Sequence, residues 1–346
     1  VSDLNLNLSL ENFVSELGRL TLYWFGSVLI FNNLLTLGQL ISFVTLSGFF
    51  LSPLSRLITM QSYWQEVMIS AERLVDILDS EEEEKDDNKI EAKSLLGDIE
   101  FHNVSFAYGT RGNTLNNISF AIKAGEKVAF VGLSGSGKTT LLKLLMRFYP
   151  CTEGNITVDG MDISDYRLES YRSKIGYVPQ ESLLFSGSIR DNLKYGNPDA
   201  TDEQIMEALK TVAAEHLLDK LDEGLDTEIG EGGDFLSTGE KQLLSIARAL
   251  LADPRILILD EATSSIDTQT EKAIQDAVRT VIQNRTSFVI AHRLSTIVNA
   301  DIILLVHEGR IVERGTHTQL MKAGGEYYKL FTRQYEDLIV NDNQQN

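Results

Sequence analysis

The sequence predicts an α/β domain built on a mainly parallel sheet and preceded by part of an α-helical transmembrane domain. From about Gly97 onward, short β-branched runs alternate with helical patterns, which is typical of α/β domains. A glycine-rich loop within that region lies between a predicted strand and a predicted helix. Upstream, no Asp, Glu, Lys or Arg occurs from Leu20 to Ser55. With 346 residues, the chain is long enough for two domains.

The charge-free region predicts two membrane helices, at about residues 10–31 and 34–60. The segment Leu34–Leu54 alone meets the length of about 20 mainly apolar residues that a membrane span requires. Arg19 and Arg56 then lie on the same side of the bilayer, which the positive-inside rule makes cytoplasmic. The alternative is a buried helical hairpin in a soluble protein. Because two spans cannot enclose a transport path, residues 1–62 are expected to be the C-terminal part of a larger transmembrane domain.

Three further regions complete the predicted organisation. Residues 63–96 form a helical connector and an acidic linker, since apolar residues repeat there at helical spacing before the charge run Asp79–Asp87. Residues 97–337 form the α/β domain, and residues 338–346 form a polar tail. Strands are predicted in "DIEFHNVSFAY", "KVAFVG", "SKIGYVP", "RILILD", "TSFVIAH" and "DIILLV", with antiparallel strands at the start and a terminal hairpin that turns at Glu308-Gly309.

The composition limits the partners. The formal net charge of −19 argues against a nucleic-acid partner, which would require a basic face. A nucleotide remains possible, because one loop can be electropositive on an acidic protein. The single cysteine, Cys151, excludes an internal disulfide and fits a reducing compartment.

The most specific motif is "GLSGSGKT", Gly132–Thr139, which follows the strand of "KVAFV". It has the form G-x-x-x-x-G-K-[ST], in which backbone N–H groups surround phosphate oxygens and the following helix contributes its positive end. Lys138 is expected to bind the β- and γ-phosphates, and the Thr139 hydroxyl is expected to bind Mg²⁺. The motif predicts a P-loop NTPase.

Other polar residues stand where predicted strands end. Asp260 ends the strand of "RILILD" and suits indirect Mg²⁺ coordination, while Glu261 is placed to polarise a water for attack on the γ-phosphate. Gln180 follows another strand and can reach metal or water, and His292 follows a third. Tyr108 closes "VSFAY" and is a candidate to stack on a base.

Together these residues resemble the nucleotide-binding domain of ATP-binding cassette (ABC) transporters, of the exporter class that carries membrane and ATPase domains on one chain. The resemblance rests on Tyr108, the loop Gly132–Thr139, Gln180, "TEIGEGG" from Thr227, "LSTGE" from Leu236, "LILDEATSSID" from Leu257 and "AHRLST" from Ala291. It covers about residues 97–337 and extends weakly upstream. It implies a mainly parallel sheet with an antiparallel subdomain and a helical subdomain, in a multi-pass protein of the cell membrane with a cytoplasmic ATPase domain.

The resemblance also implies the site residues and cofactors. ATP and Mg²⁺ are expected to be bound, with Glu261 and His292 catalytic. The expected ATP-binding residues are Tyr108, Gly132, Ser134, Gly135, Ser136, Gly137, Lys138, Thr139, Thr140 and Gln180. Thr139, Gln180 and Asp260 are the expected metal-site residues. In this family two nucleotide domains close head to tail, so Ser237, Thr238, Gly239 and Glu240 are expected to meet ATP bound by the partner domain. Asp267 would line the dimer seam, and Glu228 and Glu231 would touch the membrane domain.

The predicted function is ATP-driven export across a membrane, with a peptide or bacteriocin, or a drug or lipid, as substrate. The partner domain is either a second copy or a different half-transporter. One alternative is a soluble ATPase of the same superfamily that acts on nucleic acid or ribosomes, and another is a regulatory half that binds ATP without hydrolysing it.

The signature "LSTGE" leaves a question open, because the usual family form is Leu-Ser-Gly-Gly-Gln. Ser237 and Glu240 have the spacing of a capping box at a helix start. Thr238 is harmless only if its φ is negative. Glu240 would bring a carboxylate close to the arriving γ-phosphate, so weaker ATP-driven closure than with Gln is expected.

Overall fold

The computed structural model describes residues 2–79, 88–109, 112–230, 232–233, 235–260, 268–290 and 294–333. The chain divides into two compact units, Val1–Lys85 and Asp86–Asn346.

The first unit contains helix α1, Ser2–Phe31, and helix α2, Leu37–Leu78. Thr36 caps α2 through a capping box with Gln39, so the turn between the helices ends at a defined residue. Gly26 on α1 leaves room for the buried Leu40 of α2 to pack against it. The helix predicted over residues 34–60 and the helical pattern that follows form one continuous 42-residue helix.

The described residues contain no helix that is long and apolar enough to cross a membrane.

The second unit is an α/β domain, as predicted. Its strands are β1 Ile99–Phe106, β2 Leu115–Ile122, β3 Lys127–Val131, β4 Glu153–Val158, β5 Met161–Asp162, β6 Ile175–Val178, β7 Gly187–Ser188, β8 Glu228–Ile229, β9 Ile256–Asp260, β10 Thr286–Ile290, β11 Ile302–His307 and β12 Arg310–Gly315. Its helices are α3 Lys138–Leu145, α4 Leu168–Arg172, α5 Ile189–Lys194, α6 Asp202–Thr211, α7 Thr238–Leu251, α8 Thr268–Val281, α9 Leu294–Val298 and α10 His317–Ala323.

The main sheet has the strand order β12-β11-β3-β10-β9-β6. The five strands from β11 to β6 are parallel, and β12 pairs antiparallel with β11. Glu308 and Gly309 have φ values of 46° and 71°, which are the left-handed values of a tight hairpin turn. The terminal hairpin is thus confirmed.

Both faces of the main sheet are covered, which explains the uninterrupted apolar runs in its strands. Val128 and Phe130 of β3 belong to one core cluster, which also contains apolar residues of α3, β1 and β2. Ala129 and Val131 point to the other face and belong to a second cluster, with apolar residues of α7 and α8.

A second sheet has the order β2-β1-β4-β5 and is antiparallel. Strands β1 and β2 are the antiparallel strands predicted at the start of the domain. The other two strands of this sheet, β4 and β5, follow α3 in the sequence. The helical region contains α5, α6 and α7, and 3₁₀ turns at Glu215–Lys220 and Gly224–Asp226.

Candidate nucleotide-binding site

The glycine-rich loop connects β3 directly to α3. Its glycines Gly132, Gly135 and Gly137 all have positive φ, at 150°, 77° and 108°. A Cβ at Gly132 would collide with the carbonyl oxygen of Val306, and one at Gly137 would lie 2.7 Å from the Leu115 side chain. Only glycine fits these two positions, because both the φ value and the close approach of neighbouring atoms exclude a side chain.

Lys138 is the first residue of α3, and its side chain is buried at 6% exposure. Its ammonium donates hydrogen bonds to the carbonyl oxygens of Gly132 and Leu133, each at 2.8 Å, and approaches the Ser136 hydroxyl at 3.4 Å. Burial lowers the pKa of Lys138, and the Asp260 carboxylate opposes that shift without cancelling it. These hydrogen bonds hold the Lys138 side chain against the carbonyl oxygens of its own loop, while Ser134 is exposed.

Thr139 and Asp260 lie together although 121 positions separate them. The Thr139 hydroxyl donates to the Asp260 carboxylate at 3.5 Å. Asp260 ends β9 opposite Ile290 of β10, which in turn lies opposite Phe130 of β3, so Asp260 and the loop share the carboxyl edge of the sheet. Among the described residues no group of three or more His, Cys, Asp or Glu side chains could hold a metal. The hydroxyl and carboxylate nevertheless fit Mg²⁺, which prefers oxygen ligands and completes its shell with phosphate and water.

Tyr108 lies beside the start of α3. Its hydroxyl is 3.4 Å from that of Thr140, a buried residue in the first turn of the helix. Phe106 and Tyr149 meet the Tyr108 ring edge to face, at centroid distances of 4.7 and 5.1 Å. These contacts hold a partly exposed aromatic ring close to the phosphate loop, where the sequence predicts base stacking.

Gln180 lies exposed, two residues beyond the end of β6. Because β6 pairs with β9, this position is on the same edge of the sheet as Asp260. The segment after Gln180 is anchored by Arg248 of α7, which donates to the Leu183 carbonyl at 3.1 Å and to the Asn192 carbonyl at 2.9 Å. Sequence reasoning missed Arg248, which links this segment to the helix of the signature motif.

The signature motif begins α7. Ser237 is its N-cap, and the capping box with Glu240 is confirmed, since the Glu240 amide donates to the Ser237 hydroxyl at 3.3 Å and the Ser237 amide donates to the Glu240 carboxylate at 2.9 Å. Thr238 is the first helical residue and is not among the residues with positive φ, so its β-branched side chain causes no backbone strain. Gly239 is buried behind it.

The carboxylate of Glu240 has a second partner that sequence reasoning missed. Lys220, at the end of the 3₁₀ turn Glu215–Lys220, donates to it at 3.2 Å. Burial acts to raise the pKa of Glu240, but the hydrogen bonds from Ser237 and Lys220 outweigh it and lower the pKa. Glu240 is therefore an ionised and paired carboxylate.

Three predicted residues, Glu261, Asp267 and His292, lie outside the described residues, as does Glu231. Glu228 is exposed on β8, which pairs with β7.

Cys151 is half-buried, and burial together with the neighbouring Asp162 raises the pKa of its thiol to about 11. It is therefore a neutral thiol near neutral pH.

Residues 115–264 match the family model described as ABC transporter. Among curated proteins, the chain is 44% identical over 331 residues to the uncharacterized ABC transporter ATP-binding protein YknV of Bacillus subtilis, covering 95% of this chain and 55% of that protein. It is 46% identical over 314 residues to an ATP-dependent lipid A-core flippase of Desulfotalea psychrophila, covering 90% and 54%.

A fatty acid ABC transporter ATP-binding/permease protein of Mycobacterium tuberculosis is 44% identical over 318 residues, covering 92% of this chain and 50% of that protein. Among solved structures, a bacterial Atm1-family ABC exporter with ATP bound matches with a TM-score of 0.68 and 37% identity, over 87% of this chain and 53% of that one. The chain thus spans about half the length of the relatives that it matches.

Proposed function

Residues 115–264 of this chain belong to the ABC transporter family, and from that premise we propose that the chain is the ATP-hydrolysing part of an ABC exporter. The arrangement that carries the proposal is the phosphate loop with the buried Lys138 beside the Thr139–Asp260 pair at one edge of the sheet. These residues supply a cation, backbone amides and oxygen ligands for a nucleoside triphosphate.

In this proposal Lys138 leaves the carbonyls of its own loop and binds the β- and γ-phosphates. Tyr108 stacks on the base. Thr139 and Asp260 hold Mg²⁺, directly or through water, and Gln180 lies within reach of the same edge. When bound, Mg²⁺ neutralises charge on the phosphates. Glu261 follows Asp260 in sequence and orients the attacking water, and His292 supports the γ-phosphate.

We further propose that a second nucleotide-binding domain completes the site. The exposed start of α7, with Ser237 at its N-cap, presents a helix N-terminus that can receive a γ-phosphate. Asp267 would line the seam between the domains. The partner is a second copy of this chain or a related half-transporter, and closure of the two domains on ATP drives transport.

We also propose that residues 1–62 belong to a membrane domain that is completed by residues outside this chain, so that the exporter is a multi-pass membrane protein with a cytoplasmic ATPase domain. The charge-free stretch Leu20–Ser55 and the word "permease" in the name of one relative support this proposal. The relatives named for lipid A-core and fatty acid favour a lipid substrate over a peptide.

The test is ATP binding and hydrolysis by the purified full chain. We expect Mg²⁺-dependent hydrolysis that Glu261→Gln abolishes while ATP still binds, and loss of ATP affinity by calorimetry in Lys138→Ala. Lys143→Ala, on the same helix, and Glu207→Gln, on α6, are the matched controls and should leave both properties unchanged. Binding without hydrolysis in the parent chain would support the regulatory alternative. Recovery of the chain in the soluble fraction, with nucleic acid or ribosomes bound, would support the alternative of a soluble ATPase.

A further inference from the structure

We propose that Lys220 is a positioning residue for ATP bound by a second copy of this chain. It acts through Glu240: it fixes the position of that carboxylate beside the start of α7 and neutralises its charge. The inference rests on the proposed function, since it assigns a role at the surface where the two nucleotide domains would close.

The geometry fixes both oxygens of the Glu240 carboxylate. One accepts the amide and hydroxyl of Ser237, each at 2.9 Å, and the other accepts the ammonium of Lys220 at 3.2 Å. Lys220 comes from a different element than α7, so the contact joins the 3₁₀ turn to the signature helix. The carboxylate is thereby bound at the edge of the helix start.

The exposures of the two side chains show why a counter-ion matters here. The Glu240 side chain is only 17% exposed, whereas that of Lys220 is 63% exposed. Water screens a largely buried charge poorly, so the Glu240 carboxylate would repel a phosphate that approaches the helix N-terminus. The neighbouring ammonium cancels that charge at short range. The Glu240–Lys220 pair is therefore electrically equivalent to the neutral glutamine of the usual motif.

The experiment is a double-mutant cycle in the full chain that carries Glu261→Gln, so that ATP is not consumed. Energy transfer between C-terminally labelled copies reports closure as a function of ATP concentration. Lys220→Met is expected to raise the ATP concentration for half-maximal closure by up to about fivefold, the range of a partly exposed ion pair. The same substitution in a Glu240→Gln background is expected to change nothing.

Two controls separate electrostatics from folding. Lys220→Arg keeps the charge and should restore closure, and Lys210→Met removes a lysine of α6 in the same helical region and should have no effect. Melting temperatures without nucleotide should agree among the Lys220 variants.

Equal effects of Lys220→Met with and without the Glu240→Gln substitution, or no effect in either background, would overturn the role of Lys220 while the proposed function stands. If the Glu261→Gln chain without further substitutions never shows ATP-dependent closure, the proposed function is overturned, and the role of Lys220 with it.

Discussion

Replacing Ser237 by alanine tests whether one hydroxyl both caps α7 and contacts ATP in the partner domain. The substitution removes the acceptor of the Glu240 amide and the hydroxyl that donates to the Glu240 carboxylate. Loss of a Ser or Thr N-cap costs about 1 kcal/mol. For a domain of this size that corresponds to a decrease of about 2–4 °C in melting temperature.

The chain offers a matched control in the same helical region. Thr201 caps α6 through a capping box with Gln204, in which the Gln204 amide donates to the Thr201 hydroxyl at 3.4 Å and the Thr201 amide donates to the Gln204 side chain at 2.9 Å. Thr201→Ala should therefore lower the melting temperature by a similar amount without touching the signature motif.

Scanning calorimetry without nucleotide measures the capping effect, and ATP-dependent closure in the Glu261→Gln chain measures the contact in the partner domain. We expect both variants to melt at a lower temperature and only Ser237→Ala to close at a higher ATP concentration, by about tenfold or more for one lost hydrogen bond to a charged group. If the two variants close alike, the contact between Ser237 and the partner's nucleotide is refuted. If neither variant has a lower melting temperature than the chain without the substitution, the capping argument is refuted.

Single contacts elsewhere in the domain give three further predictions. Thr286→Val should lower stability by about 1–3 kcal/mol in chemical denaturation, because the buried Thr286 hydroxyl donates to the Gly97 carbonyl and accepts from the Gly125 amide, each at 2.9 Å; an unchanged unfolding midpoint would contradict this. Gly132→Ala should lose ATP affinity in calorimetry, since its Cβ would collide with a carbonyl of β11, and wild-type affinity would contradict the loop geometry. Tyr108→Ala should weaken ATP binding by about 5- to 150-fold if the ring stacks on the base, whereas Tyr108→Phe should retain most of the affinity.

Local features of this protein could be predicted from the sequence, because the interactions that form them join residues close together in the chain. The strand, loop and helix around Lys138, the capping box of Ser237 and Glu240, and the hairpin turn at Glu308-Gly309 all lie where the patterns predict them. The α/β class was equally readable, since buried parallel strands require uninterrupted apolar runs.

Pairings between distant segments could not be predicted from the sequence, because they depend on how whole helices and strands pack. The sequence did not show that β4 would join β1. Nor did it show the contacts of Arg248 with the segment after Gln180.

The chain by itself determined which chemical groups this protein carries: a phosphate loop, a strand-terminal Asp260 and a capped signature helix. Only the tertiary structure decided which of them meet. The order of strands in the main sheet brings Thr139 within 3.5 Å of Asp260, and the packing of the helical region brings Lys220 to Glu240. The physical reason is that short-range hydrogen bonds and backbone preferences act within a few residues. Contacts between different elements, by contrast, are set by how the helices and the sheet pack to bury their apolar faces.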